Sequence, residues 1–418
     1  MGVIMKKTAE ELYRERLGRI EDAIHLKVPD RVPILASFRY FSARYAGMTY
    51  EDIYYKPEEW LEANKKTIID FQPDMYYPPF TESGKAYEIL GVKQVKWPGH
   101  GIPPDVSHQF VEDEYMKADE YDAFLTDSAN FAIRTYLPRL CEALEPFKNL
   151  PSLDSMLFGY RSLSIIASAL VMPEIENALK SLLKAGREIA KTYAIINGFD
   201  EKMAKLGFPA IGSVALTAFD VISDFHRGMR GSMLDMYRQP DKLLQAIEKI
   251  EPIILQEALL LAKIYGNPRV FIPLHRGADG FMSDEQFRIF YWPSLKRLIL
   301  ALIQEGLTPC PFFEGKVDSR LEYLRELPKG KVLVRFDTTD LFKAKEIIGD
   351  MMCIGGNMPV SLLQVGTPEE VKTYCKNMID IIGKDGGFIM CTRSVLDEAN
   401  PENVKIWMDF TKEYGVYQ

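Results

Sequence analysis

The sequence predicts an α/β protein, a (β/α)8 TIM barrel. Three observations lead there. Eight short apolar runs read as strands: 32–38, 74–79, 210–218, 269–274, 307–313, 332–336, 352–355 and 388–391. They are near-continuously apolar, the pattern of parallel strands covered on both faces. From residue 208 onward strand, turn and amphipathic helix repeat regularly, which favours a closed barrel, with a doubly wound sheet as the alternative.

The elements follow in order. Residues 8–27 pattern as a charged amphipathic helix with Thr8 as its cap. The strand at 32–38 delivers Arg39 and leads to Arg44, and a helix over 51–71 separates it from the second strand, which ends near Glu82. Residues 87–98 and the Gly/Pro-rich PGHGIPPD read as a hairpin and loop. Helices are expected over 241–265, 283–305, 320–326, 340–348 and 368–382. The 418 residues are accommodated as one barrel domain, with an N-terminal helix within 1–30 and a helical elaboration over 85–207.

Composition narrows the function. A net charge of −8 argues against a polyanionic partner such as nucleic acid. The N-terminus has charges every few residues and no apolar stretch of signal-peptide length, and no window reaches the roughly 20 apolar residues of a membrane span. A cytoplasmic protein without membrane association is therefore expected. Five widely spread cysteines form no disulfide pattern and no paired zinc-finger spacing.

In a barrel of this kind the chemistry lies at the C-terminal ends of the strands. Those ends deliver Arg39, Glu82, Thr217 with Asp220, His275, Glu314, Asp337, Asn357 and Cys391. His275, Glu314 and Cys391 are the residue types that zinc selects, and three such ligands leave a position for substrate. Each has a plainer reading: His275 as a loop hydrogen-bonder, Glu314 as a helix cap, Cys391 as a core thiol. Glu82 is the candidate general acid or base, or a fourth ligand. Tyr76, Tyr77, Phe312 and Phe313 suit a flat apolar substrate, as do Phe80 and Trp97, with Asn357 as a polar contact and Arg39, Arg44 and Arg276 as carboxylate partners.

At these residues the chain resembles the uroporphyrinogen decarboxylase superfamily, which includes decarboxylases and cobalamin-dependent methyltransferases. The likeness runs through VPILASFRYFSARYAG, RVFIPLHRGADGFMSDEQFRIFYWPSLKRLI and the stretch from LTPCPFFEG to FIMCTRSVLDEANPENVKIW. Where the methyltransferases carry a His-x-Cys pair, this chain has Phe312, Phe313 and Glu314, while their late Cys corresponds to Cys391. The resemblance implies Zn2+ held by His275, Glu314 and Cys391, polarising a methyl ether. It further implies methyl transfer to cob(I)alamin on a partner corrinoid protein, from a small-molecule donor such as a methoxylated aromatic. A second copy of the chain is also an expected partner. The alternatives are decarboxylation, methyl transfer to a thiol such as coenzyme M, and a non-catalytic docking module.

Overall fold

A computed structural model describes residues 7–80 and 82–418. Residues 1–6 of the N-terminal stretch, and Thr81, lie outside them. The chain forms a TIM barrel. Strands Arg269–Leu274, Thr308–Phe313, Leu333–Phe336, Cys353–Met358 and Phe388–Thr392 make one parallel sheet in sequence order. Leu35–Ala36 pairs in parallel with Met75–Tyr76, and single parallel bridges complete the ring: Ile34 with Met390, Tyr76 with Ala210, and Val214 with Phe271.

The third wall of the barrel, expected as a strand over 210–218, is therefore held by bridges alone. Gly212 accounts for part of this. A Cβ there would lie 2.1 Å from the carbonyl oxygen of Arg269, so the backbones approach at a spacing only glycine tolerates.

The N-terminal helix runs over Ala9–Ile24, and Thr8 and Glu11 form a reciprocal capping box at its start. Its buried face, Ile20, Ala23 and Ile24, packs into a cluster with Leu35, Met75, Ile211, Cys310, Leu333 and Cys353. The helix thus closes the end of the barrel opposite the mouth. The expected helix over 51–71 is divided into Tyr50–Tyr55 and Pro57–Phe71 because proline fixes a new start at 57. The expected hairpin near 87–98 is a short helix, Gly84–Leu90, followed by a small sheet of Val95–Pro98, Gly101–Ile102 and Gln109–Phe110.

Within the stretch between residues 121 and 204, Pro173–Ile196 packs on Gly84–Leu90 and Pro57–Phe71, and Tyr121–Thr126 packs on Pro240–Tyr265. No single helix among the described residues is long and apolar enough to cross a membrane, although Tyr160–Leu170 and Pro173–Ala204 pass that test as a pair bent by 84°.

Candidate active site

Strand pleating decides which side chains reach the barrel interior, because neighbours along a strand face opposite sides. On Thr308–Phe313, Phe312 turns inward against the Arg335 guanidinium, whereas Phe313 stacks on Phe336 in the outer core. Tyr77 faces inward, with its hydroxyl on Arg335 Nη1 at 2.6 Å, whereas Tyr76 is fully buried outside the ring and donates to Asp200. Tyr76 and Phe313 are thus packing residues. The structure does not bring them to the mouth.

The mouth is organised around His275, just beyond the strand Arg269–Leu274. Its backbone N–H donates to Asp220 Oδ2 at 2.9 Å, and its Nδ1 bonds Asp224 Oδ2 at 2.5 Å. Nε2 faces Glu314 Oε1 across 3.8 Å. Asp220 is buried and also accepts from Tyr291 and from the backbone of Arg276, so it fixes the turn that carries His275. Thr217 caps the short helix Ala218–Asp220, which widens into a π-type turn over Val221–Arg227. One helical turn apart, Asp220 and Asp224 can both meet the same residue.

The charges reinforce this clamp. Burial opposes an imidazolium, but the Asp224 hydrogen bond and the charges of Asp220, Asp224 and Glu314 outweigh it and raise the pKa of His275 to about 9. Burial and the nearby Asp224 charge push Asp220 up to about 6. Glu314 is raised by desolvation, against the pull of His275 and with the push of Asp337 and Asp224. The result is an acidic proton on a fixed nitrogen at a solvent-facing rim.

The expected zinc ligands are only partly assembled. His275 and Glu314 converge, but Cys391 is buried deeper, in the cluster with Cys310, Leu333 and Cys353, where its Sγ lies 3.3 Å from Arg335 Nε. Burial raises its pKa despite that guanidinium. Asp224 is near but sits on the opposite imidazole nitrogen from Glu314, so one ion cannot meet both carboxylates and the ring. Among the described residues no three His, Cys, Asp or Glu side chains are arranged to hold a metal ion. Two donors are fewer than a catalytic zinc takes; the residues present do not fit a resident zinc.

The other expected residues vary in their availability. Glu82 is exposed and accepts from Tyr87 at 2.5 Å. Arg39 has φ 45°, outside the usual range for a side-chain-bearing residue, and lies over the Phe80 ring. Asn357 is committed to structure: its Nδ2 donates to the Asp337 and Thr339 carbonyls and its Oδ1 accepts from Tyr374. Arg276 is paired with Glu112 and Asp224. Asp224, Tyr291 and Arg335 were not expected from the sequence. The D-x-x-x-D spacing of Asp220 and Asp224 after the third strand is a sequence signal from which the first could have been found.

The family model for uroporphyrinogen decarboxylase (URO-D) matches residues 168–414, and the chain belongs to that family. A uroporphyrinogen decarboxylase of Chlorobium luteolum is 23% identical over 249 residues, covering 58% of this chain and 68% of the relative. One from Coxiella burnetii is 23% identical over 252 residues, covering 59% and 66%. Among solved structures, a methyltransferase from Methanosarcina mazei superposes with a TM-score of 0.59 at 14% identity, covering 98% of this chain and 99% of that one. At that identity the likeness is one of fold.

Proposed function

We propose that the chain is a methyltransferase that removes the methyl group of a methyl ether, a methoxylated aromatic compound, and passes it to cob(I)alamin on a corrinoid protein. The observation that supports it best is the His275 clamp. Breaking the methyl–oxygen bond leaves its electron pair on oxygen, and an unprotonated alkoxide or phenoxide is a poor leaving group. His275 Nε2 delivers a proton to that oxygen as the bond breaks, and a donor of pKa about 9 is close to the acidity of a phenol. The corrinoid, when docked, supplies the nucleophile that takes the methyl group. His275 and Glu314 have side chains 31% and 48% exposed, so an acceptor on a second protein can reach them.

Within this reading Asp224 holds the imidazole with Nε2 aimed outward and keeps it charged. Glu314 receives the Nε2 side of the ring and reloads it with a proton from solvent. Glu82, held by Tyr87 on the rim, is left without a proton-transfer role. The methyltransferase activity of the Methanosarcina neighbour belongs to that protein and is part of this proposal only for the present chain.

Following cob(I)alamin absorbance with the full chain, a corrinoid protein and a panel of methoxylated aromatics, methanol and methylamines tests the reading. Loss of the reduced-corrinoid spectrum with methoxylated aromatics alone is expected. A response only to methanol or amines, or to nothing, overturns it. Decarboxylation is the second reading, favoured by the activity of the sequence relatives. There His275 would protonate the carbanion left by CO2, and release of CO2 from uroporphyrinogen would select it.

Asp224 has its own signature. Asp224→Asn removes the group that most raises the His275 pKa, so the high-pH limb of kcat/KM should move from about 9 toward the ordinary value near 6.5. An unchanged limb would mean that His275 is not the titrating donor.

A further inference from the structure

The interior of the barrel holds a cation that no carboxylate among the described residues balances. Arg335, on Leu333–Phe336, is 3% exposed. Its guanidinium lies between two aromatic faces, 4.6 Å from the Phe312 centroid and 5.1 Å from that of Tyr77. It donates from Nη1 to Tyr77 Oη, from Nη2 to the Thr392 carbonyl at 3.2 Å, and from Nε to Cys391 Sγ. That uses three of five N–H donors. None of these partners is a carboxylate, and among the described residues no Asp or Glu lies within ion-pair distance of it. Two other deeply buried arginines contrast with this, Arg227 meeting Asp235 and Glu114 and Arg320 meeting Asp279 and Asp284, whereas Arg16 also lacks a carboxylate among the described residues and donates to the Gly207 carbonyl and the Gln72 amide oxygen.

The fold makes room for this group. Gly355 sits beside Arg335 in register, and a Cβ there would lie 2.7 Å from Arg335 Cγ. Glycine lets the arginine stem cross the neighbouring strand toward the centre. Among the described residues, two more arginines, at the ends of the neighbouring first and last strands, have no carboxylate in ion-pair distance: Arg39, and Arg393, whose Nε is buried with no hydrogen-bond partner. A buried charge without a counter-charge is costly, which favours a site completed by a negatively charged ligand.

We propose that Arg335, together with Arg39 and Arg393 at the ends of the first and last strands, binds the carboxylate of the substrate, and that the substrate is an aromatic acid whose reacting group lies at the far end of the ring. The spacing supports this. Phe312, which stacks on Arg335, and Glu314, which faces His275, are two residues apart on one strand and so about 7 Å apart. That is close to the separation of the two substituents on a para-substituted ring. Tyr77 is only partly buried, and its ring and that of Phe312 both lie against the guanidinium, two aromatic faces suited to a flat ligand. This inference rests on the proposed reaction at His275 only for which end of the ligand reacts.

Isothermal calorimetry on the full chain with 4-methoxybenzoate and its neutral isostere 4-methoxybenzamide tests it. The acid should bind about tenfold or more tightly than the amide. Arg335→Gln should abolish that preference, and Arg393→Gln should reduce it several-fold. Equal binding of acid and amide to the unmodified chain, no binding of either, or a preference that survives Arg335→Gln would overturn the proposal. If Arg335→Gln fails to fold by circular dichroism, the acid-to-amide ratio on the unmodified chain and on Arg393→Gln decides. Binding is read without corrinoid or turnover. An acid preference without methyl transfer would therefore keep this site and remove the proposed reaction, and methyl transfer from neutral ethers unaffected by Arg335→Gln would do the reverse.

Discussion

Replacing His275 with Gln is expected to lower kcat/KM by about 10²–10⁴-fold, the range for removing a positioned general acid. That corresponds to roughly 3–5 kcal/mol of barrel-mouth transition-state stabilisation at about 1.4 kcal/mol per tenfold. Gln keeps a polar side chain of similar reach but has no proton to give. The loss should fall on kcat and kcat/KM together, since the proton moves only as the methyl–oxygen bond breaks. Substrates with acidic leaving groups should be affected least, because a stable phenoxide departs without help. A loss of less than about fivefold with an ordinary methoxy ether, read against the 10²–10⁴ range, would show that the proton comes from elsewhere.

The same residue ties activity to stability. The folded-state pKa of His275, about 9, lies above its unfolded value of about 6.5. Its contribution is therefore fully present below pH 6.5 and is lost as pH rises toward 9. Asp220 gives the same pH trend, a stability that falls as pH rises. Its folded pKa of about 6 lies above the usual carboxylate range, so ionising it between about 4 and 6 works against folding. The imidazolium beside it offsets part of that penalty, which is why the two groups belong to one unit.

The barrel was legible in the sequence because each wall strand is a run of apolar residues followed by a helix. The depth and facing of individual side chains were not. Strands covered on both faces show no alternation, so Tyr76 could not be told from Tyr77, nor Phe312 from Phe313, until the pleat was known. Cys391 was misplaced for the same reason. It ends its run in the sequence, but the strand register pairs it with Asn357 and leaves it beneath the Arg335 side chain. His275 and Glu314 were legible because both follow their strands directly. Arg335 was hidden inside VLVRF: the run 332–336 reads as one apolar strand, and a single charge within it does not reveal which side it faces. Asp224 lies on a helix that forms only after the irregular third wall.

Substituting Asp74 by Ala should cost ~3–5 kcal/mol, the usual result of stranding buried partners of a removed charge. The Asp74 side chain is fully buried at the start of the second strand, where Oδ1 accepts from Arg19 at 2.6 Å and from Arg31 at 2.8 Å. Oδ2 accepts from Arg31 and from the backbone N–H of Ile34 at 2.9 Å. One carboxylate thus ties the N-terminal helix, the approach to the first strand and the second strand together at the closed end of the barrel. Without it, Arg19 keeps Asp30, while Arg31 and the Ile34 N–H lose their acceptor. Exposed pairs such as Arg14 with Glu10 should matter little by comparison, within about 1 kcal/mol. Asp74→Asn keeps an acceptor for Ile34 and should fall between the two. Urea titration should show a lower midpoint with an unchanged slope, and kcat/KM measured well below the new transition should equal that of the unmodified chain, because the Asp74 network lies at the opposite end from His275. A midpoint shift equivalent to less than about 1 kcal/mol would mean that the seam between the first two strands is held by packing of Leu35 and Met75 rather than by this carboxylate.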